Sequence, residues 1–202
     1  MAMPADNATD VRQRILNAAL GLMAEHGFME VTQPKIARAA GVRQSHLTYY
    51  FPTRSELLKA VAVHSIETLL GSLVAGASAG KLTPELFAQI AGEALADKRR
   101  ARVMLGLIVS SEEDREIKQF LRDFIVRVRA TMTNVARLLG REPEQINIVA
   151  LHMLFVGATI LNVARDDANS RRECAEIARI AIEIFLPGGE PAPAQERQRR
   201  RK

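Results

Sequence analysis

The sequence predicts an all-α protein, and two observations carry that prediction. Aromatic residues are scarce, seven Phe and two Tyr with no Trp, while Ala, Leu, Ile, Arg and Glu fill long stretches, a mixture that favours helix over sheet. Where apolar residues recur, they do so in steps of three and four, the period of a helix face. With 202 residues and 48% hydrophobic content the chain can bury a substantial core, as one large domain or as a small module joined to a bigger one.

About nine helices follow in order. Met1 to Thr9 is small and polar and is expected to be disordered, so that Asp10 caps a first helix. Its stripe is Ile15, Ala18, Ala19, Leu22 and Met23, and it stops at "EHGF", where His26 suits the negative helix end and Gly27 the left-handed residue after it. In "VTQPKIARAAG", Thr32 is placed to cap, Pro34 falls in the first turn where its missing N–H costs nothing, and Gly41 ends a helix of barely two turns. Arg43 to Tyr50 makes a third short helix, broken by Pro52. Thr53 and Glu56 form a capping box that opens a long fourth helix, running to the small-residue break "AGASAGK", which reads as a module boundary.

Thr83 and Pro84 restart helix to about Ala96, and another begins near Lys98. After Ser110 or Ser111 comes a long helix with Ile117, Leu121, Phe124, Val128, Met132, Val135 and Leu139 on one face, ended by Gly140. Gln145 to Ala164 is uncharged over 20 residues. Gln145, Asn147, His152, Thr159 and Asn162 interrupt it, so it reads as a helix buried on most sides of a soluble bundle and not as a membrane span. Ser170 to Leu186 is the last helix, with Cys174, Ile177, Ala178, Ala181, Ile184 and Phe185 inward. The tail, "PGGEPAPAQERQRRRK", is expected to be flexible.

Charge and cysteine use narrow the function. Net charge is +5, and Thr32 to Ala60 holds Lys35, Arg38, Arg43, Arg54 and Lys59 against one acid, Glu56; such a balance suits a polyanion. The single cysteine, Cys174, excludes an intrachain disulfide and, with no N-terminal apolar leader, points to the cytoplasm. Catalysis finds no support. His26, His46, His64 and His152 lack metal-ligand spacing, no Gly-rich phosphate loop follows a strand, and Cys174 reads as a packed thiol, so no cofactor is expected. Lys98, Arg99, Arg100 and Arg102 are expected on a solvated face.

The second and third helices have the proportions of a helix-turn-helix: a glycine at the turn, an apolar seam of Ile36, Ala40, Val42 and Leu47, and polar residues projecting from the second helix. Arg43, Gln44, Ser45, His46 and Thr48 are left for that outer face, where Arg matches guanine edges and Gln adenine edges in a major groove. The chain here resembles the TetR family of bacterial one-component repressors, over about residues 11–63, through "RILNAALGLMAEHGF", "VTQPKIARAAGV" and "LTYYFPTRSELL". Gly41, Leu47, Phe51, Arg54 and Leu57 fit the family pattern as they stand. Arg43, Ser45 and Thr48 replace, in turn, a common Ser or Thr cap, a frequent glycine and a common aromatic phosphate contact.

The resemblance implies core roles for Leu47 and Phe51, a phosphate contact for Tyr49, a bracing role for Tyr50 and a phosphate contact for Arg54 at the start of the fourth helix. Thr32 and Gln33 join the expected DNA contacts. It also implies a repressor that binds a near-palindromic operator in double-stranded DNA as a homodimer, paired through the two C-terminal helices, and is released by a small-molecule effector. Met104, Phe120, Phe124, His152, Met153 and Phe155 are candidates to line the effector pocket, and the lack of clustered acids there favours a neutral or anionic effector. The domains then fall at 10–56 for DNA binding, 57–187 for effector binding and dimerisation, and 188–202 for the basic tail. A helical adaptor using basic surfaces on a membrane or protein partner is the alternative, and it leaves the ordered helix-turn-helix motif as coincidence.

Overall fold

The computed structural model describes residues 5–27 and 31–187, so the expected tail at 188–202 lies outside the described residues. Among the described residues there are nine helices and no strand: α1 (Ala5–His26), α2 (Gln33–Ala39), α3 (Gln44–Tyr50), α4 (Arg54–Ser78), α5 (Pro84–Ala96), α6 (Lys98–Ser110), α7 (Arg115–Leu138), α8 (Gln145–Arg165) and α9 (Ala168–Phe185).

Side chains set most of the helix starts. The Thr53 hydroxyl accepts from the Glu56 N–H while Glu56 accepts from the Thr53 N–H, the reciprocal box the sequence predicts. The side chains of Thr83, Asp97, Asp114 and Asp167 cap α5, α6, α7 and α9 by accepting first-turn N–H groups, without a reciprocal bond. Three expected starts move. α1 begins five residues before Asp10, which lies inside the helix and pairs with Arg14 one turn on; Ala5 to Thr9 are therefore helical. α7 begins at Arg115, because the Asp114 carboxylate takes the Glu116 and Ile117 N–H groups and holds Ser111 to Glu113 in a turn. α9 begins at Ala168, where Asp167 accepts from Ser170 at 2.6 Å.

Two buried clusters form the interior. The first gathers Ile15, Leu16 and Met23 of α1, Ile36, Leu47 and Phe51 around the two short helices, Leu57 and Val61 of α4, and Val103, Leu107 and Ile117 from α6 and α7. The second joins α4's far end to α5, α7, α8 and α9. Its tightest approach is between α5 and α9, where a Cβ on Gly92 would stand 2.8 Å from the Ala175 Cα. With 25 residues, α4 is about 37 Å long and belongs to both clusters. Leu73 before the "AGASAGK" stretch, Ala77 within it and Leu82 after it share the second cluster, so that stretch does not separate two cores.

Two surface placements depart from expectation. α8 is not buried on most sides: Ile148, Leu151 and Asn162 are buried, whereas Ile146, Met153 and Leu161 are each 63% exposed. One face packs on α9, α6 and α5 and the other is left open. On α9 the inward position is Ile182, and Ile184 faces out. By length and composition alone α4 and α8 could each cross a membrane, but α4 packs against α1, α6 and α7, and α8 against the amphipathic α9.

Candidate nucleic-acid interface and cavity

The head exposes one polar edge. Gly41 takes φ +64°, a left-handed conformation that a side chain would strain, and this turns the chain from α2 into α3. Ile36, Ala40 and Leu47 are buried between the helices and Val42 packs against them, as the seam requires. That burial leaves Arg43, Gln44, Ser45 and His46 exposed in one run, with Thr48 partly covered. Arg43 occupies the N-cap position of α3 without a side-chain cap bond. The Thr48 hydroxyl donates back to the Gln44 and Ser45 carbonyls, which sets its rotamer.

The three consecutive aromatics differ sharply in burial. Phe51 is buried, with the Arg12 guanidinium 5.5 Å from its ring centroid. Tyr50 packs on the first cluster and meets Tyr49 edge to face at 5.3 Å. Tyr49 itself is 80% exposed. Arg54, the first residue of α4, is exposed at the N-terminal end of that helix, and Thr32 is exposed at the start of α2. Thr32 occupies the cap position but its hydroxyl makes no cap bond. Gln33 is half-buried and donates to the Phe51 carbonyl at 3.4 Å, binding the start of α2 to the end of α3. Lys59 does not belong to the basic edge, because its ammonium pairs with Glu116 at 3.2 Å.

Several polar contacts join the head to the body. Ser55 donates to Asp114 at 2.6 Å, and with Lys59 and Glu116 this fastens the start of α4 to the start of α7. Further along α4, His64 donates to Asn17 of α1 at 2.9 Å. Burial and then the Arg12 charge hold His64 below the usual histidine range, so the ring is neutral.

Behind the head, between α4, α5, α6, α7 and α8, lies a cavity of about 170 Å³. Met104, Phe124, His152 and Phe155 line it, as the sequence suggests. Phe120 and Met153 do not. Phe120 stacks on Phe124 at 5.4 Å but turns to the first cluster, and Met153 points out from the opposite face of α8. The α4 residues Ile66, Leu69, Leu70 and Leu73 were missed; their apolar spacing on α4 was the available signal.

The polar residues of the wall are Arg100, His152 and Thr159. Arg100 is a correction to the solvated face expected of its neighbours: it reaches inward, donating to the Ser65 carbonyl at 3.1 Å and to Asp97 at 2.8 Å. Burial works to raise the Asp97 carboxyl, and its bonds from Arg99 with the Arg100 charge outweigh that, leaving it low and ionised. Arg129 donates from Nε to His152 Nδ1 at 3.2 Å. Burial first, then the Arg129 charge, holds His152 down and neutral. Because Nδ1 accepts, the ring proton sits on Nε2.

Residues 15–61 match the model of the bacterial regulatory proteins of the tetR family. The nucleoid occlusion factor SlmA of Haemophilus ducreyi is 33% identical over 73 residues, 36% of this chain and 36% of that protein. SlmA of Actinobacillus pleuropneumoniae is 31% identical over 70 residues, 34% of this chain and 35% of that one; the match thus spans about a third of the curated relatives' length. Over the whole fold, a transcriptional regulator from Saccharomonospora viridis in complex with choline superposes with a TM-score of 0.67 at 18% identity, covering 88% of this chain and 98% of that one. A TetR transcription regulator from Haloarcula marismortui does so with 0.64 at 19% identity, covering 88% and 99%. Residues 15–61 thus form a head of the tetR family, and the nine helices as a whole share the fold of transcriptional regulators that carry such a head.

Proposed function

We propose that the protein is a non-enzymatic, ligand-responsive repressor acting in the cytoplasm, which binds a near-palindromic operator as a homodimer and is released by a small molecule. Arg43, Gln44, Ser45, His46 and Thr48 lie toward base edges in the major groove, with Tyr49, Arg54 and Thr32 on flanking phosphates. Gln33 works there as a brace through Phe51 as much as a contact. Residues 10–56 act as the reading unit and 57–187 as the sensing and pairing unit.

The observation that carries this reading is the reach of α4. Its first turns sit in the head's core, and Ile66, Leu69, Leu70 and Leu73 further along form one wall of the cavity. A ligand that fits better when α4 is displaced weakens operator binding by the same factor that operator weakens the ligand. The choline found in the Saccharomonospora viridis regulator supports a small-molecule site in a body of this shape. It does not carry choline over to this chain, whose cavity wall holds the cationic Arg100.

A second copy covers the open face of α8. Met153, Leu154 and Leu161 with Gly157 and Ala158 make an apolar, closely approachable strip beside Ile177 of α9. Lipid is the poorer occupant, because the exposed Arg171, Arg172, Glu173 and Arg179 of α9 run along the same pair of helices. Two heads on one dimer then reach successive grooves about 34–36 Å apart.

Fluorescence anisotropy with DNA from upstream of the protein's own gene, at low and high salt, tests the reading. A regulator gives a saturable complex that excess unrelated DNA does not remove, and an affinity that falls steeply with salt. Binding that unrelated DNA competes away equally would leave the adaptor.

A further inference from the structure

The cavity's polar equipment is almost entirely donors. Arg100 has five N–H groups, of which the Ser65 and Asp97 bonds use two and leave three. His152, with Nδ1 taken by Arg129, offers Nε2–H. Thr159 offers a hydroxyl that is free of the helix: Thr48, Thr68, Thr131 and Thr133 each donate to the carbonyl four residues back, and Thr159 has no such bond among the described residues.

Charge points the same way. Arg100 shares Asp97 with Arg99, and Arg129 behind His152 has no carboxylate in ion-pair range among the described residues. A cation entering here meets like charge and few acceptors, while an anion meets donors that are already held in place. The rest of the wall, including Leu69, Leu73, Phe87, Phe124 and Val128, is apolar. Its volume of about 170 Å³ is close to that of engineered apolar cavities, on the order of 150 Å³, that take one benzene ring.

From these observations we infer that the cavity takes a compact apolar carboxylate, its carboxyl group held by Arg100, His152 and Thr159 and its body by the surrounding aliphatic and aromatic side chains. This rests on the ligand-responsive reading above and names the ligand's class.

Titration calorimetry on the full chain without DNA tests it with four probes: benzoate, its neutral counterpart benzamide, and the cations benzylammonium and choline. Benzoate binds at least about tenfold more tightly than benzamide, and the cations do not bind. Arg100→Gln erases the preference for benzoate over benzamide. Thr159→Val, which keeps the side chain's shape and leaves the Asp97 network untouched, weakens both by about threefold to tenfold. Should Arg100→Gln fail to fold, the probe series and Thr159→Val decide alone. Benzamide or either cation binding as well as benzoate, Thr159→Val without effect, or no heat from benzoate at millimolar concentration overturns the inference. Operator release is measured separately. Benzoate that binds yet leaves the DNA complex intact keeps the carboxylate site and overturns the effector reading, and a cation that releases DNA does the reverse.

Discussion

The outer edge of α3 and the outer face of α8 are both open to water, yet they are made of opposite materials. Arg43, Gln44, Ser45 and His46 are polar groups on a seven-residue helix whose only buried residue is Leu47. Ile146, Met153, Leu154 and Leu161 are large apolar groups on a helix of 21 residues. A polar edge costs little to leave hydrated and suits a partner that comes and goes. An apolar face of that extent calls for lasting cover. On the proposed function, the difference suits α3 to a reversible partner and α8 to a lasting one.

Breaking the second surface has the largest expected effect. Met153→Asp with Leu161→Asp puts carboxylates on the α8 face, so sedimentation reports a monomer, and operator affinity falls by on the order of a hundredfold or more as the two heads lose their tether. A dimer that persists would move the interface elsewhere. Next comes the support of the first surface. Leu47→Ala removes a fully buried side chain from the head's seam and costs about 2–5 kcal/mol in denaturant unfolding.

Smaller effects sharpen the assignment within α3. Gln44→Ala relaxes base preference at one operator position by about 1–3 kcal/mol, whereas Tyr49→Phe weakens every site alike and, because the phenol is neutral, leaves the salt slope unchanged. Equal effects of the two on preference would contradict the division between base and phosphate contacts. The smallest effect is pH dependence. His64 and His152 sit below their ordinary value near 6.5 in the fold, so the unfolded chain takes up protons first as pH falls. Stability is therefore full above about pH 6.5 and declines beneath it, and the melting temperature drops between about pH 7.5 and 5.5. His152→Phe reduces that drop.

The head was legible because its signals are local. A glycine turn, a capping box and a seam of apolar residues within thirty positions of one another specify α2, α3 and the start of α4 with little help from the rest of the chain. The body was less so, because the decisive facts lie between distant segments. Lys59 looks like part of a basic patch until Glu116, 57 residues later, is seen beside it. Phe120 and Phe124 are one turn apart on the same helix, and only the packing of the head against α7 sends the first away from the cavity. An uncharged helix reads as a core helix, and α8 instead leaves Ile146, Met153 and Leu161 on the surface. Arg100 was obscured by its neighbours, since a run of Lys and Arg looks solvated whichever of them turns inward.

Methylation interference on the upstream DNA tests most directly that the exposed edge of α3 reads the major groove. The account predicts that methyl groups on guanine N7 at a few positions, in two clusters one helical turn apart or a multiple of it, abolish binding, and that Arg43→Ala removes the interference at a single position in each cluster. Binding indifferent to N7 methylation, or interference that Arg43→Ala leaves unchanged, would contradict it.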